Sequence, residues 1–189
     1  MSFNQFFKNP ILINLDRRED RLEQFNKQAQ DLGITYRRFS AVEATDPRLG
    51  CKLSHMAALS MCTDQVAFVF EDDALFVDDF AQQFETAMAN VPDDWEMLYL
   101  GAHLLKKENY NQWWARSLEC SSTHAYAVRA SLIPRLIKQA MSIDGHTDVA
   151  FSSLHSEIKA YVARPTLVYQ GSSYSDLQRC EVDYTYLYF

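Results

Sequence analysis

The sequence predicts an α/β protein with a mostly parallel central sheet flanked by helices. Three observations predict it. Short apolar runs alternate with segments of helical periodicity in the order β-α-β-α-β-α-β. The run Val66-Ala67-Phe68-Val69-Phe70 is apolar at every position, which suits a central strand covered on both faces. Gly and Pro number only five each, so no Gly/Ser/Pro-rich linker divides the chain, and one domain over residues 1–189 is expected.

Each element has its own signal. Ile11 to Leu15 is a short buried strand. Asp16 to Asp20 turns the chain and supplies acidic residues to a helix start. Leu22, Phe25, Ala29 and Leu32 follow at helical spacing, and Gly33 ends that helix. Ile34 to Phe39 is β-branched and aromatic, hence a second strand. Leu53, Met56, Ala57 and Ser60 share a helical face within Cys51 to Cys62. After the Val66 strand, Asp78 and Asp79 open a helix whose face carries Phe80, Phe84, Ala87 and Met88. Met97 to Leu100 is a fourth strand ending at Gly101. Ala102 to Glu119 reads as a long loop with some helix, anchored by Trp113 and Trp114. His124 to Val128 is a strand. Ser131 caps a helix with Pro134 in its first turn that runs to about Met141. Thr147 caps another through Ile158. Tyr161 to Tyr169 is a last strand, interrupted by Pro165 and so expected at a sheet edge.

Composition narrows the function. Hydrophobic residues are 48% and charged residues 23%, which excludes a disordered or fibrous chain. Lys plus Arg is 18 against 25 for Asp plus Glu, a net charge of −7. Nucleic-acid binding needs a positive surface, so no nucleic-acid partner is expected. No run approaches the roughly 20 apolar residues of a membrane span. Met1 to Pro10 lacks the long apolar segment of a signal peptide. Cys51, Cys62, Cys120 and Cys180 form no CxxC pair and no zinc spacing. They read as reduced thiols, at least two of them buried, in a cytosolic protein.

In a parallel sheet, ligands sit at the carboxyl ends of the strands. That rule points to Asn14 to Arg18, Ser40 to Ala44, Glu71 to Asp73 and Gly101 to His103. The sharpest feature is Glu71-Asp72-Asp73, three carboxylates delivered to the sheet rim by an apolar strand. Their mutual repulsion is relieved by a hard divalent cation with oxygen ligands. A solvated strand end is the plainer reading. The arginines of Asp16-Arg17-Arg18-Glu19-Asp20-Arg21 suit a phosphate at a helix N-terminus, or surface ion pairs. Gly50 to His55 opens a helix with a glycine, a hydroxyl and an imidazole; His55 is either a ligand neighbour or a structural histidine. Asp144-Gly145-His146-Thr147-Asp148 supplies either a general base or turn and cap residues.

These features occur in an order that resembles glycosyltransferase family 25, the lipopolysaccharide-biosynthesis and procollagen galactosyltransferase group. The matching residues are Ile13-Asn14-Leu15 with Arg18, Asp20 and Arg21, then Phe39-Ser40-Ala41-Val42-Glu43-Ala44. Gly50-Cys51 with Leu53-Ser54-His55 and Phe68-Val69-Phe70-Glu71-Asp72-Asp73 follow. Fainter echoes are Trp95, Leu98 to Gly101, Thr123 to Tyr126, Pro165, and Gln170 with Ser175-Asp176. The resemblance implies a GT-A-like fold and a UDP-sugar donor such as UDP-galactose. It implies transfer of a hexose, with inversion, onto a glycan or glycolipid acceptor, a lipooligosaccharide or other surface glycan. In that frame Glu71 and Asp73 hold Mn²⁺ or Mg²⁺. Asn14, Leu15, Arg18, Arg21, Ser40, Ala41 and Asp72 line the nucleotide site, and Ser54 and His55 border the donor. Asp148 is the implied base, with Asp144 second. The implied location is the cytoplasm, with peripheral contact at the inner face of the cytoplasmic membrane as an option.

The chain is shorter than most members of that group. No third metal ligand stands out, and Gln170, Ser173 and Asp176 are the options. A catalytically weak nucleotide-sugar-binding protein of the same fold, or a metal-dependent phosphoesterase, stays open as an alternative. Residues 177–189 form an aromatic C-terminal tail with Val182, Tyr184, Tyr186 and Tyr188 on one face. It covers its own core, pairs with a second subunit in a homodimer, or rests on a membrane. Its lack of Lys and Arg near the end argues for the first two.

Overall fold

The computed structural model describes residues 2–176 and 178–184. Of the aromatic tail, Leu177 and residues 185–189, Tyr186 and Tyr188 among them, lie outside the described residues, and with them the core, homodimer and membrane roles expected of it.

Near the N-terminus is a short helix, α1 (Phe3–Phe6), whose four residues are too few to show a helical period in the sequence. Phe3 and Phe7 are buried and pack on the later Phe68 ring, with centroids 5.0 and 4.6 Å away. β1 (Ile11–Asn14) is buried along its whole length. α2 (Glu19–Asp31) carries Glu19 and Asp20 in its first turn, where carboxylates face the positive end of the helix dipole. Its inner face is Phe25 and Ala29. Gly33 takes φ +64°, which a side chain resists, and the Ile34 amide donates back to the Ala29 carbonyl at 2.8 Å to close the helix. β2 is Arg37–Ser40, later than expected, with Ile34 to Tyr36 leading into it.

α3 (Pro47–Ser60) begins a turn before Cys51, because Asp46 caps it and Pro47 suits its first position. β3 (Val66–Glu71) is the expected central strand. β4 (Ala74–Phe76) leaves the rim, and α4 (Phe80–Ala89) buries Phe80, Phe84, Ala87 and Met88, as the spacing predicts.

β5 (Met97–Asn109) and β6 (Trp114–Arg129) form one long antiparallel hairpin. This corrects the loop expected over Ala102 to Glu119. Four register shifts between Tyr99 and Lys107 break the period-2 alternation, so the strand signature is absent from the sequence there. Trp114 is the anchor of the turn: fully buried, it donates its indole N–H to the Ala87 carbonyl at 2.8 Å. Asn111 accepts from the amides of Trp113 and Trp114.

A 3₁₀ turn over Ala130–Leu132 takes in Ser131, so α5 (Ile133–Ser142) has Leu132 rather than the serine at its N-cap. α6 (Thr147–Ser152) is shorter than expected, and turns replace its second half. β7 (Ala160–Ala163) is the last strand in the sheet order, but it is not the open edge expected: it pairs with β5 on one side and with Trp114 to Arg116 at the start of the long β6 on the other. The segment after Pro165 is a separate strand, β8 (Val168–Gln170), paired with β4. β9 (Ser173–Ser175) and β10 (Cys180–Val182) make a small hairpin. All four cysteines are free thiols, but only Cys120 is buried; Cys51 and Cys62 are half-buried and Cys180 exposed.

The main sheet has six strands in the order β2-β1-β3-β6-β5-β7. All run in one direction except β6, which is antiparallel to both β3 and β5. Alternate residues feed two cores. Leu12, Phe68, Phe70, Leu98 and Leu100 face α1, α2 and α4; Ile11, Ile13, Val69, Met97 and Tyr99 face α3, α5 and α6. Each fully buried Phe or Leu contributes roughly 1.5–3 kcal/mol. The register Ile13 to Phe39 and Ile13 to Glu71 brings the carboxyl ends of β1, β2 and β3 to one rim.

Gly101 is needed for this stacking. A Cβ there would stand 1.6 Å from the Val168 carbonyl oxygen and 2.8 Å from His124 Nε2, so β8 crosses β5 only over a bare backbone.

Candidate functional site

At that rim lies a cavity of about 420 Å³, within the range of small-molecule sites. Four segments and a set of C-terminal residues build it: Ile13 to Arg21, Ala41 to Ala44, the first turns of α3, Glu71 to Asp73, and then Gln170, Ser175, Asp176, Arg179 and Tyr184.

Its floor is the carboxylate triplet. Glu71 accepts the Thr123 hydroxyl at 2.8 Å and faces His55 Nε2 at 3.3 Å. Burial opposes its ionisation, but His55 and Thr123 outweigh that and hold its pKa low. His55 is itself buried, with Nδ1 3.0 Å from the Tyr126 hydroxyl. Burial alone would lower the imidazole's pKa. Tyr126, Cys51 and Glu71 reverse that, and it is raised. Buried His55 and half-buried Glu71 thus form a hydrogen-bonded ion pair.

Asp72 is buried at 8% exposure and accepts from Asn14 Nδ2 at 2.7 Å and Arg21 at 2.9 Å. Burial raises its pKa in spite of Arg21. Asn14 in turn accepts from Arg38 Nε at 2.8 Å, which fixes its orientation. Asp73 has one oxygen 3.3 Å from both Arg21 and Gln170. Its other oxygen, Oδ1, is buried with no hydrogen-bond partner. Burial, then the charges of Glu71 and Asp72, push the Asp73 pKa up. One guanidinium serves two carboxylates here, so the floor is short of positive charge.

The wall from α3 is set by Ser54 and Gly50. Ser54 donates to the Gly50 carbonyl and accepts the Val42 amide, both at 2.8 Å. A Cβ on Gly50 would meet the Val42 carbonyl at 2.6 Å. Helix and Ala41–Ala44 loop are therefore locked together. Arg17 and Arg18 grip the two oxygens of Asp176 at 2.8 and 2.6 Å, tying the β9–β10 hairpin over the cavity. Arg18 and Arg21 also donate to the Tyr174 carbonyl.

Among the residues expected from sequence, Leu15, Arg21, Ala41, Ser54, His55, Glu71, Asp72 and Asp73 line this cavity. Asn14 and Arg18 sit behind its wall, holding Asp72 and Asp176. Ser40 is exposed and accepts from Arg38. Gly101 to His103 lie in the β5–β6 hairpin, outside the lining. Asp148 and Asp144 are also outside it. Asp148 is half-buried and accepts the Ser122 amide at 2.9 Å, next to the Thr123 that bonds Glu71. Neighbouring Thr147 lies 3.8 Å from Cys51 of the lining. Asp144 is exposed on the turn after α5. Gln170 and Asp176 join the site; the side chain of Ser173 is outside the described residues. Among the described residues no group of three His, Cys, Asp or Glu side chains converges as a ready metal cage. The orphaned Asp73 Oδ1 nevertheless fits a cation completed by ligand oxygens, because such ions often take only one or two carboxylates from the protein. Tyr126, Thr123 and Arg179 carry no site signal in the sequence, and Arg17 stands there only as one of the arginines after the first strand. Arg179 has no local motif at all; only the fold brings it to the cavity.

A mixed α/β sheet with an acidic, arginine-flanked cavity at its carboxyl rim is the plan of the GT-A class of folds. The model of glycosyltransferase family 25 (LPS biosynthesis protein) matches residues 43–146, over half the chain, and the chain belongs to that family. It is similar to procollagen galactosyltransferase 1-A of Xenopus laevis, 28% identical over 135 residues. That match covers 53% of this chain and 21% of that protein, so the chain spans about a fifth of its curated relative. Among solved structures it resembles A197 from STIV, with TM-score 0.54 and 14% identity over 93% of both chains. It also resembles the catalytic domain of Drosophila beta1,4galactosyltransferase 7 in complex with xylobiose. There the TM-score is 0.50 and the identity 10%, over 91% of this chain and 74% of that one. No helix among the described residues is long and apolar enough to cross a membrane.

Proposed function

We propose that the chain is an inverting glycosyltransferase that moves a hexose from a UDP-sugar, UDP-galactose first among them, onto a lipooligosaccharide or other surface glycan. The observation that carries this reading is the cation-short acidic floor, with Asp73 Oδ1 unpartnered, in a 420 Å³ cavity walled by arginines. A nucleoside diphosphate brings negative charge to such a floor only in company with a cation. Asp73, with Glu71 beside it, would hold Mn²⁺ or Mg²⁺, which supplies Lewis-acid stabilisation of the leaving diphosphate.

The chain's own groups divide the remaining work. Arg21 stays on Asp72 and Asp73 and keeps their carboxylates oriented. The His55–Glu71 pair fixes the end of β3 against α3. Ala41 to Ala44 and Leu15 offer backbone and apolar surface to the nucleoside. Asp148 takes the proton of the acceptor hydroxyl as the new bond forms. Its two oxygens accept the backbone amides of Ser122 and Val149, and no cation among the described residues pairs with it. Asp144 lies farther out, and is the weaker choice.

The test is a thermal-shift panel of UDP-, GDP- and CMP-sugars, each with Mn²⁺ and with chelator. A ligand that binds only the native state raises Tm by mass action. A UDP-sugar shift that requires Mn²⁺ and disappears in Asp73→Asn supports the reading. The absence of a shift from every nucleotide sugar refutes it.

A further inference from the structure

Three arginines line the cavity: Arg17, Arg21 and Arg179. Arg17 is committed to Glu43 and Asp176, and Arg21 to Asp72 and Asp73. No carboxylate among the described residues pairs with Arg179. Five carboxylates line the same space, at Glu43, Glu71, Asp72, Asp73 and Asp176. A cation left unmatched in so acidic a cavity is held there by the backbone that carries it, not by attraction to a partner.

That backbone is constrained. Arg179 has φ +57°, in the left-handed region that side chains resist, and its amide donates to the Ser175 carbonyl at 2.6 Å. The β9–β10 hairpin is fastened independently. Asp176 is gripped by Arg17 and Arg18, and the Tyr174 carbonyl accepts from Arg18 and Arg21. Arg17 and Arg18 outweigh the effect of burial on Asp176 and hold its pKa low, so the fastening is ionic.

We propose that Arg179 is the protein's own diphosphate ligand, and that Asp176 is the positioning residue that brings it to the cavity. The inference rests on the nucleotide-sugar reading above, and adds to it a residue and a mechanism. The hairpin uses an anion to anchor itself to the arginines after β1 and returns a cation to the ligand. A guanidinium binds phosphate oxygens through paired charge-assisted hydrogen bonds, which suits a diphosphate.

The experiment measures UDP affinity by titration calorimetry in Mn²⁺, at several salt concentrations. Wild type is compared with Arg179→Gln, Arg179→Lys, Asp176→Asn and the double variant Asp176→Asn/Arg179→Gln. Arg179→Gln is expected to weaken UDP about tenfold, the loss of one hydrogen-bonded charge, and to flatten the salt dependence. Arg179→Lys restores most of both, which a merely structural role would not produce. Asp176→Asn weakens UDP too, and the double variant is no worse than Arg179→Gln alone, because Asp176 acts through Arg179. If wild type binds UDP and Arg179→Gln binds it equally well, the inference falls and the nucleotide reading stands. If Asp176→Asn tightens UDP, or its loss adds to that of Arg179→Gln, the positioning role falls. If wild type binds no UDP, both fall together.

Discussion

Replacing His155 by Gln should remove a specific acid sensitivity from this fold. His155 is fully buried. Its Nδ1 lies 2.9 Å from the Ser117 hydroxyl and its Nε2 3.2 Å from the Tyr99 hydroxyl. Cys120 Sγ is 3.9 Å away. Burial raises the pKa of Tyr99 well above its usual value and that of Cys120 to about 12, so both stay neutral and neither offers the imidazole a negative charge. Burial accordingly pushes the His155 pKa from 6.5 down to about 4. The unfolded chain then takes up a proton that the folded chain refuses. Stability is complete above pH 6.5 and is lost as pH falls toward 4. The linkage relation gives a loss of about 2 kcal/mol by pH 5 and about 3 kcal/mol by pH 4. The assay is urea unfolding of wild type and His155→Gln at pH 7.5, 6, 5 and 4. Other titrating groups cancel in the difference between the two proteins. The difference should shift in favour of the variant by about 2 kcal/mol between pH 7.5 and pH 5. A difference that stays level across that range refutes the argument, and would mean that the site admits water or a counter-charge.

Other expectations follow from single contacts. Asp73→Asn removes a buried charge that its neighbours oppose, so in chelator it should raise Tm by about 2–4 °C, equivalent to about 1 kcal/mol in a chain of this size, while abolishing sugar transfer. Differential scanning fluorimetry and a transfer assay check the two halves. Ser54→Ala leaves the Val42 amide without its acceptor and should cost about 1–3 kcal/mol in chemical denaturation. Gly101→Ala places a carbon against the Val168 carbonyl; circular dichroism and soluble yield should show a protein that fails to assemble the β5–β8 crossing. Asp148→Asn should leave UDP-sugar affinity unchanged and lower kcat at least a hundredfold, the usual contribution of a general base; an unchanged kcat removes Asp148 from the chemistry.

The parts legible in the sequence are those fixed by local chemistry. Phe80, Phe84, Ala87 and Met88 name a helix face because 3.6-residue spacing has one reading. Val66 to Phe70 names a central strand because no surface strand is apolar at every position. Glu71 to Asp73 falls at the rim by the same logic. The long β5–β6 hairpin was not legible, since its bulges scramble the alternation and its distal half carries Leu105, Lys106, Lys107 and Glu108 into solvent. Contacts between distant segments were hidden as well. Ser54 appears in sequence as a hydroxyl near a glycine; only the fold shows it accepting the Val42 amide. Arg18 appears as a phosphate ligand, whereas the structure assigns it to Asp176, 158 residues away.

That reassignment changes how the arginines after β1 act. Arg18 and Arg17 reach the site through a carboxylate of the chain's own far end, and Arg21 reaches it through two carboxylates of the floor. Each of the three is therefore a second layer, holding an acid in place. The acids they leave unsatisfied, Asp73 above all, form the first layer. A site built in that order is selective in a particular way. A bare anion gains little from guanidinium groups already engaged, and meets repulsion from five carboxylates. A diphosphate arriving with a divalent cation would meet Asp73 through the cation and Arg179 directly, the one guanidinium lining the cavity with no carboxylate partner among the described residues. Discrimination against free phosphate and nucleoside monophosphates then comes from the acids, and the arginines set its geometry. Binding of inorganic phosphate should accordingly be undetectable under conditions where UDP with Mn²⁺ binds.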